Sequence, residues 1–173
     1  METLSKRHSS RDYAGKTLSN QMMSNLLWAA FGINRPESGK RTAPSSHNVQ
    51  DIQVYVTTAE GVYLYLPQEH ALRLVSEKDV RSATGKQDFT SQAAVNLVYV
   101  SDFSRYDGGD KAAKRNTASA HCGFIGQNVY LYCASQGLNT VFRAWIDKEK
   151  IARALNLSGN QHVMYCQSVG FKE

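Results

Sequence analysis

The chain is defined first by what it has little of. No apolar run approaches the roughly 18–20 residues that cross a bilayer, so a membrane-spanning helix is excluded. Met1 to Arg11 is polar and carries no secretory hydrophobic region. The chain therefore reads as cytoplasmic, although a mature exported form with its leader trimmed off would look the same. Cysteine is confined to Cys122, Cys133 and Cys166, an odd set, far apart and without paired spacing. That speaks against a disulfide or zinc framework and for reduced, buried small hydrophobes. No G-x-G-x-x-G follows a strand, which argues against a Rossmann dinucleotide site. Gly15-Lys16-Thr17 mimics the end of a P-loop, but Ser10 stands where the leading glycine must be. No G-x-S-x-G elbow exists, so nucleophilic catalysis has no support. Internal repeats and low-complexity tracts are absent too.

What is present fits one α+β domain spanning 1–173, since 42% hydrophobic and 20% charged residues are ordinary for a globular chain of this length. A net charge of +5 invites a nucleic-acid reading. The basic residues, however, are spread along the chain and interleaved with acids such as Glu77, Asp79, Asp102 and Asp147. No nucleic-acid partner is expected on that footprint; a small anionic ligand is the better use of local clusters. The five histidines are scattered, and His121 and Cys122, adjacent on a helix, point about 100° apart. No metal site is expected. The densest cluster is Lys6-Arg7-His8-Ser9-Ser10-Arg11-Asp12-Tyr13, whose guanidinium forks and hydroxyls suit a phosphate. A charge run more often simply faces water, so that cradle needs support from elsewhere in the chain.

In chain order, Met23, Leu26, Leu27, Ala30 and Phe31 form one face of a helix, with Ser19 as N-cap and Gly32 as C′ residue. Trp28 lies off that stripe, free to cover a neighbouring element or a partner chain. Asn34 to Asn48 is polar and without periodicity, the kind of long loop that carries function. Ile52–Thr58 and Val62–Leu66 alternate as a hairpin, Leu72–Val75 adds a strand, and Glu77–Thr84 reads as a short helix ended by Gly85. Ala94–Val100, apolar nearly throughout, suits a central strand covered on both faces. The longest helical pattern follows Asp110, runs through Cys122, Ile125, Val129 and Cys133, and closes at Gly137. Its Tyr130 and Tyr132 are read as core packing. A strand over Thr140–Trp145, a helix capped by Asp147 and a strand over His162–Val169 complete the chain.

Four blocks in this order carry a resemblance: Arg7-His8-Ser9-Ser10-Arg11-Asp12-Tyr13, then Pro44-Ser45-Ser46-His47-Asn48, then Gln127-Asn128-Val129-Tyr130-Leu131 with Gly137-Leu138-Asn139-Thr140-Val141, and finally Val169-Gly170-Phe171-Lys172. Together they resemble the nitroreductase family of flavin enzymes over nearly the whole chain. The resemblance implies a central, mostly antiparallel sheet flanked by helices, with one long central helix, and an FMN at the interface of a homodimer. On that template Arg7, Ser9 and Arg11 match the grip on phosphate and ribityl chain, and His8 adds its backbone. Pro44, Ser45, Ser46 and Asn48 match the loop beside the isoalloxazine ring. The Phe142-Arg143-Ala144 backbone matches the segment presenting an N–H near flavin N5, and Lys172 matches the basic residue closing on the phosphate. Implied too are NAD(P)H as electron donor, a small nitroaromatic or quinone-like acceptor, a ping-pong cycle, and no catalytic nucleophile or base from the protein. A flavin-dependent azoline dehydrogenase of a peptide-modifying complex and a non-catalytic flavin-binding module stay open as alternatives.

Overall fold

A computed structural model describes residues 1–173. Its elements are α1 (Glu2–Lys6), α2 (Asn20–Phe31), a ribbon of β1 (Ile33–Arg35) and β2 (Lys40–Arg41), β3 (Ile52–Thr57), β4 (Val62–Leu66), β5 (Ala71–Ser76), β6 (Val95–Asp102), α3 (Lys111–Gln136), β7 (Leu138–Arg143), α4 (Lys148–Ala154) and β8 (Gln161–Phe171). Six strands make one sheet in the order β5-β4-β3-β6-β8-β7, and every neighbouring pair is antiparallel.

The near-continuous apolar run of β6 explains its central place. Its side chains alternate between two cores: Leu97 and Tyr99 enter one with Leu26 of α2 and Ile125 of α3, whereas Val98 and Val100 enter the other with Ile151 of α4. A strand with both faces dry cannot sit at an edge. Helix α3 starts where Asp110 accepts the Ala113 N–H at 2.8 Å and stops where Gly137 takes φ 67°. At 26 residues it is about 39 Å long. Ala118, Cys122, Ile125, Val129 and Cys133 form its buried stripe against the sheet, which leaves two flanks of the helix for other work.

Most expected elements are found, with instructive departures. Ser19 does cap α2, accepting the Met22 N–H at 3.2 Å, but Gly32 has φ −70° and is not a left-handed terminator. It is needed because a Cβ there would lie 2.6 Å from Cδ1 of Trp28. The helix expected over Glu77–Thr84 shrinks to a single 3₁₀ turn, Arg81–Thr84, because Asp79 spends its carboxylate on the backbone and guanidinium of Arg81 rather than on capping a longer helix. The strand expected over Thr140–Trp145 starts two residues earlier and ends at Arg143, leaving Ala144 and Trp145 exposed beyond it. The polar stretch from Asn34 contains the β1–β2 ribbon before it becomes a loop. All three cysteines are free and buried; burial pushes the Cys133 and Cys166 thiols up to about 12, so neither is a thiolate nucleophile.

Candidate functional site

The basic stretch leaves α1 as extended chain and runs along the free edge of β7. Ser10 N–H donates to Thr140 O at 2.9 Å, Asn139 Nδ2 donates to Asp12 O at 2.7 Å, and Ala14 N–H donates to Phe171 O at 3.0 Å. Tyr13 is buried and its hydroxyl donates to Ser10 O. These bonds bring the two basic ends of the sequence, Arg7 and Arg11 on one side and Lys172 on the other, to one edge of the sheet.

Tyr130 of α3 is the hub of this edge, and reading it as core packing missed it. Its hydroxyl accepts the Phe142 N–H at 2.9 Å and lies 2.7 Å from Ser9 Oγ, while the Arg7 guanidinium lies over its ring, 5.2 Å from the centroid. With the amide filling an acceptor position, the Tyr130 proton can go to Ser9 Oγ. In that arrangement the Ser9 proton is free to donate to another group. None of Arg7, Arg11 and Lys172 belongs to an ion pair; the charged pairs present are Lys6–Glu2 and Arg81–Asp79, while His121 meets Asp51 through a hydrogen bond. His8 is exposed, and its Nδ1 bonds only the Lys6 carbonyl at 2.8 Å. The one signal for Tyr130 in the sequence was its place inside the third resemblance block.

At the end of β7 the three expected residues divide. The Phe142 N–H is already taken by Tyr130. Arg143 is buried on the other side, where it donates to Thr84 O at 2.9 Å and Asn96 Oδ1 at 3.0 Å. Burial lowers its pKa, yet no carboxylate accompanies it. Only Ala144, exposed just past the strand, has an N–H with no partner.

The Pro44–Asn48 loop is held elsewhere. Ser46 N–H donates to His121 Nε2 at 2.8 Å, and His121 Nδ1 lies 2.6 Å from Asp51 Oδ1. Asp51 is wholly buried and also accepts from Ser101 Oγ. Burial is the largest single influence and raises its pKa; the hydrogen bonds from His121 and Ser101, with smaller effects of the neighbouring imidazole and the Tyr106 hydroxyl, together hold it below the ordinary carboxylate value. Ser45 Oγ accepts the Gln50 N–H at 3.0 Å, and buried Arg41 donates to Gln50 Oε1 at 3.0 Å. His47, Asn48 and Gln50 all take positive φ, at 49°, 55° and 49°.

The structure thus gathers the site residues into two groups rather than one. Tyr130 follows His121 by nine positions, so at about 100° per residue the two lie about half a turn apart, on opposite flanks of α3. Arg7, Ser9 and the Phe142 amide touch Tyr130, with Ala144 two residues beyond that amide, whereas His121 holds the Pro44–Asn48 loop at Ser46; Arg11 and Lys172 touch neither. No hydrogen bond or ion pair joins the two groups.

An antiparallel sheet backed by one long helix, with a cationic edge at converging chain ends, defines a distinct class of α+β protein. The nitroreductase family model matches residues 4–171, and the chain belongs to that family. It is 32% identical over 152 residues to MJ1384 of Methanocaldococcus jannaschii, a protein provisionally named a nitroreductase, covering 81% of this chain and 75% of that one. A crystal structure from Ralstonia eutropha JMP134, likewise provisionally named a nitroreductase, superposes with a TM-score of 0.95 at 37% identity, covering 100% of this chain and 82% of the other. The NADPH:FMN oxidoreductase of Vibrio harveyi, solved with NAD⁺, shares the fold with a TM-score of 0.74 at 18% identity over 99% of this chain and 68% of that one. The expected fold and family are therefore correct, and the family makes the chain an oxidoreductase.

Proposed function

We propose that this protein is an FMN-dependent NAD(P)H oxidoreductase that works as a homodimer, each flavin held between the Tyr130 flank of one chain and the Ser46 loop of its partner. The observation that carries the reading is the cationic edge. Arg11 and Lys172 are free of ion pairs and Arg7 is held only by the Tyr130 ring, beside a Ser9 hydroxyl free to donate. That donor set fits a phosphate dianion. The unpaired Ala144 N–H supplies a rim donor, and the exposed Ser46 and Asn48 supply polar groups for the ring.

When bound, FMN would supply hydride-transfer chemistry between NAD(P)H and a small nitroaromatic or quinone-like acceptor. The side chains bind, orient and exclude water. Arg7, Ser9, Arg11 and Lys172 would hold the phosphate end, the Ala144 N–H would serve the ring edge, and Pro44, Ser45, Ser46 and Asn48 would flank the ring. His8 contributes backbone only, its ring being turned back on Lys6. No general base is required from the chain.

The test is optical. Purified protein should be yellow, release FMN on heat denaturation, bleach on anaerobic mixing with NAD(P)H, and recover colour with a quinone. A colourless protein that binds no added FMN defeats the reading. A yellow protein that never bleaches is a flavin-binding module and not this enzyme.

A further inference from the structure

We propose that His121 is a positioning residue: with its Nδ1–H turned to Asp51, its Nε2 accepts the Ser46 N–H and so sets the pose of the flavin-facing loop. The inference rests on the functional reading above. Its basis is the direction of two hydrogen bonds in a dry place. Ser46 N–H is a donor, so the His121 Nε2 that receives it at 2.8 Å carries no proton. The ring proton is then on Nδ1 and donates to Asp51 Oδ1 at 2.6 Å, while Ser101 Oγ–H donates to the other carboxylate oxygen. His121 is 3% exposed and Asp51 0%. A wrong tautomer there would set two donors face to face, and an unmade bond would go uncompensated by water.

The loop needs such an anchor. His47, Asn48 and Gln50 sit in the left-handed region, a cost that an unrestrained segment would relax. The bonds inside the loop are local, from Asn48 N–H to Ser45 O and from Val49 N–H to Ser46 O, both 3.0 Å. Two side chains tie it to the scaffold: Arg41 holds the far end through Gln50, and His121 holds the near end at Ser46. Ser46 Oγ itself makes no hydrogen bond and is exposed. Its backbone is thus fixed and its hydroxyl free, as a ligand-facing donor requires. The chain Ser101–Asp51–His121–Ser46 crosses from β6 through the start of β3 and α3 to the loop, so three rigid elements determine the pose of one amide.

The test uses the full chain with and without FMN. In the flavin-free protein, long-range ¹H–¹⁵N correlation should show the Nδ1–H tautomer, and the Ser46 amide should exchange slowly with solvent. His121→Phe should speed that exchange and weaken FMN binding by at least about tenfold, equal to about 1.4 kcal/mol. His121→Gln, whose Oε1 can accept the same N–H, should recover part of both losses. Ile151→Ala, which opens the core on the other face of the sheet, should lower stability without changing FMN affinity. If His121→Phe does not fold, the wild-type tautomer and His121→Gln still decide. An Nε2–H tautomer, a fast-exchanging Ser46 amide, or equal FMN affinity in a folded His121→Phe overturns the proposal. A wild type that binds no FMN overturns the functional reading first; a wild type that binds FMN while His121→Phe binds equally well overturns this inference alone.

Discussion

Arg11 shows how a residue with nothing to do in the isolated chain becomes the most informative one. It is exposed and unpaired, so Arg11→Ala removes no internal contact and surface changes of this kind usually cost little stability. If it grips the flavin phosphate, the same change should weaken FMN binding by about 1.5–3 kcal/mol, the range for a hydrogen bond to a charged group. Fluorescence titration of FMN into the flavin-free variant, with its melting temperature as control, measures both quantities; unchanged affinity removes Arg11 from the site. Asp51 is the opposite case, fully buried and with a folded pKa held below its ordinary value. A depressed carboxylate stabilises the fold at pH above the unfolded value of about 3.9, and that contribution disappears as pH falls through the folded value. Urea unfolding at pH 6 and pH 3 should therefore show an acid loss in the wild type that is smaller in Asp51→Asn. Equal losses in both would show that Asp51 is not the group responsible.

Among the elements, α3 and β7 approach too closely for a side chain to fit between them at Gly126. A Cβ on Gly126 would lie 2.5 Å from Cδ2 of Phe142, whose ring is packed between Tyr99 and Tyr165 at centroid distances of 5.7 and 4.9 Å. Replacing a helical glycine by alanine gains about 1 kcal/mol of propensity, but overpacking costs about 1–3 kcal/mol, and a ring wedged on both sides cannot retreat. Gly126→Ala should therefore lower stability by up to about 2 kcal/mol despite the better helix former; a urea midpoint above the wild type's would show that Phe142 can yield. Such contacts also mark what sequence could reveal. The apolar run of β6, the Asp110-to-Gly137 limits of α3 and the Ser19 and Asp147 caps were legible because each depends on neighbours in the chain. Tyr130 and His121 were not: the Ser9 hydroxyl lies 121 positions from Tyr130 and the Ser46 amide 75 from His121. Polar residues on a helix flank look alike in sequence whether they face water, core or loop. The resemblance found the loop and the basic turn, whereas their supports became visible only once α3 was placed between them.

For the whole molecule, the separation of the two groups becomes a statement about assembly. Tyr130 and His121, which hold the basic edge and the Ser46 loop, face opposite flanks of α3, and the proposed flavin joins the two through a second chain. The outer face of the molecule offers material for one: Trp28, Phe124 and Leu4 are 46%, 47% and 51% exposed, large apolar side chains that a lone molecule leaves in water. Phe124 is the cleanest probe, because it points away from the buried stripe of α3 and its loss opens no internal cavity. An interfacial aromatic can carry 2 kcal/mol or more of association, roughly thirtyfold in affinity, and a buried charge in its place adds a desolvation penalty. If the proposed homodimer uses this face, Phe124→Glu should therefore give a folded monomer by light scattering where the wild type is a dimer, with circular dichroism unchanged. Because the Ser46 loop then has no partner edge, the monomer should also lose FMN although Arg7, Ser9, Arg11 and Lys172 are untouched. A monomeric Phe124→Glu that keeps wild-type FMN affinity would show that one chain completes the site by itself, and the shared-flavin arrangement would have to be abandoned.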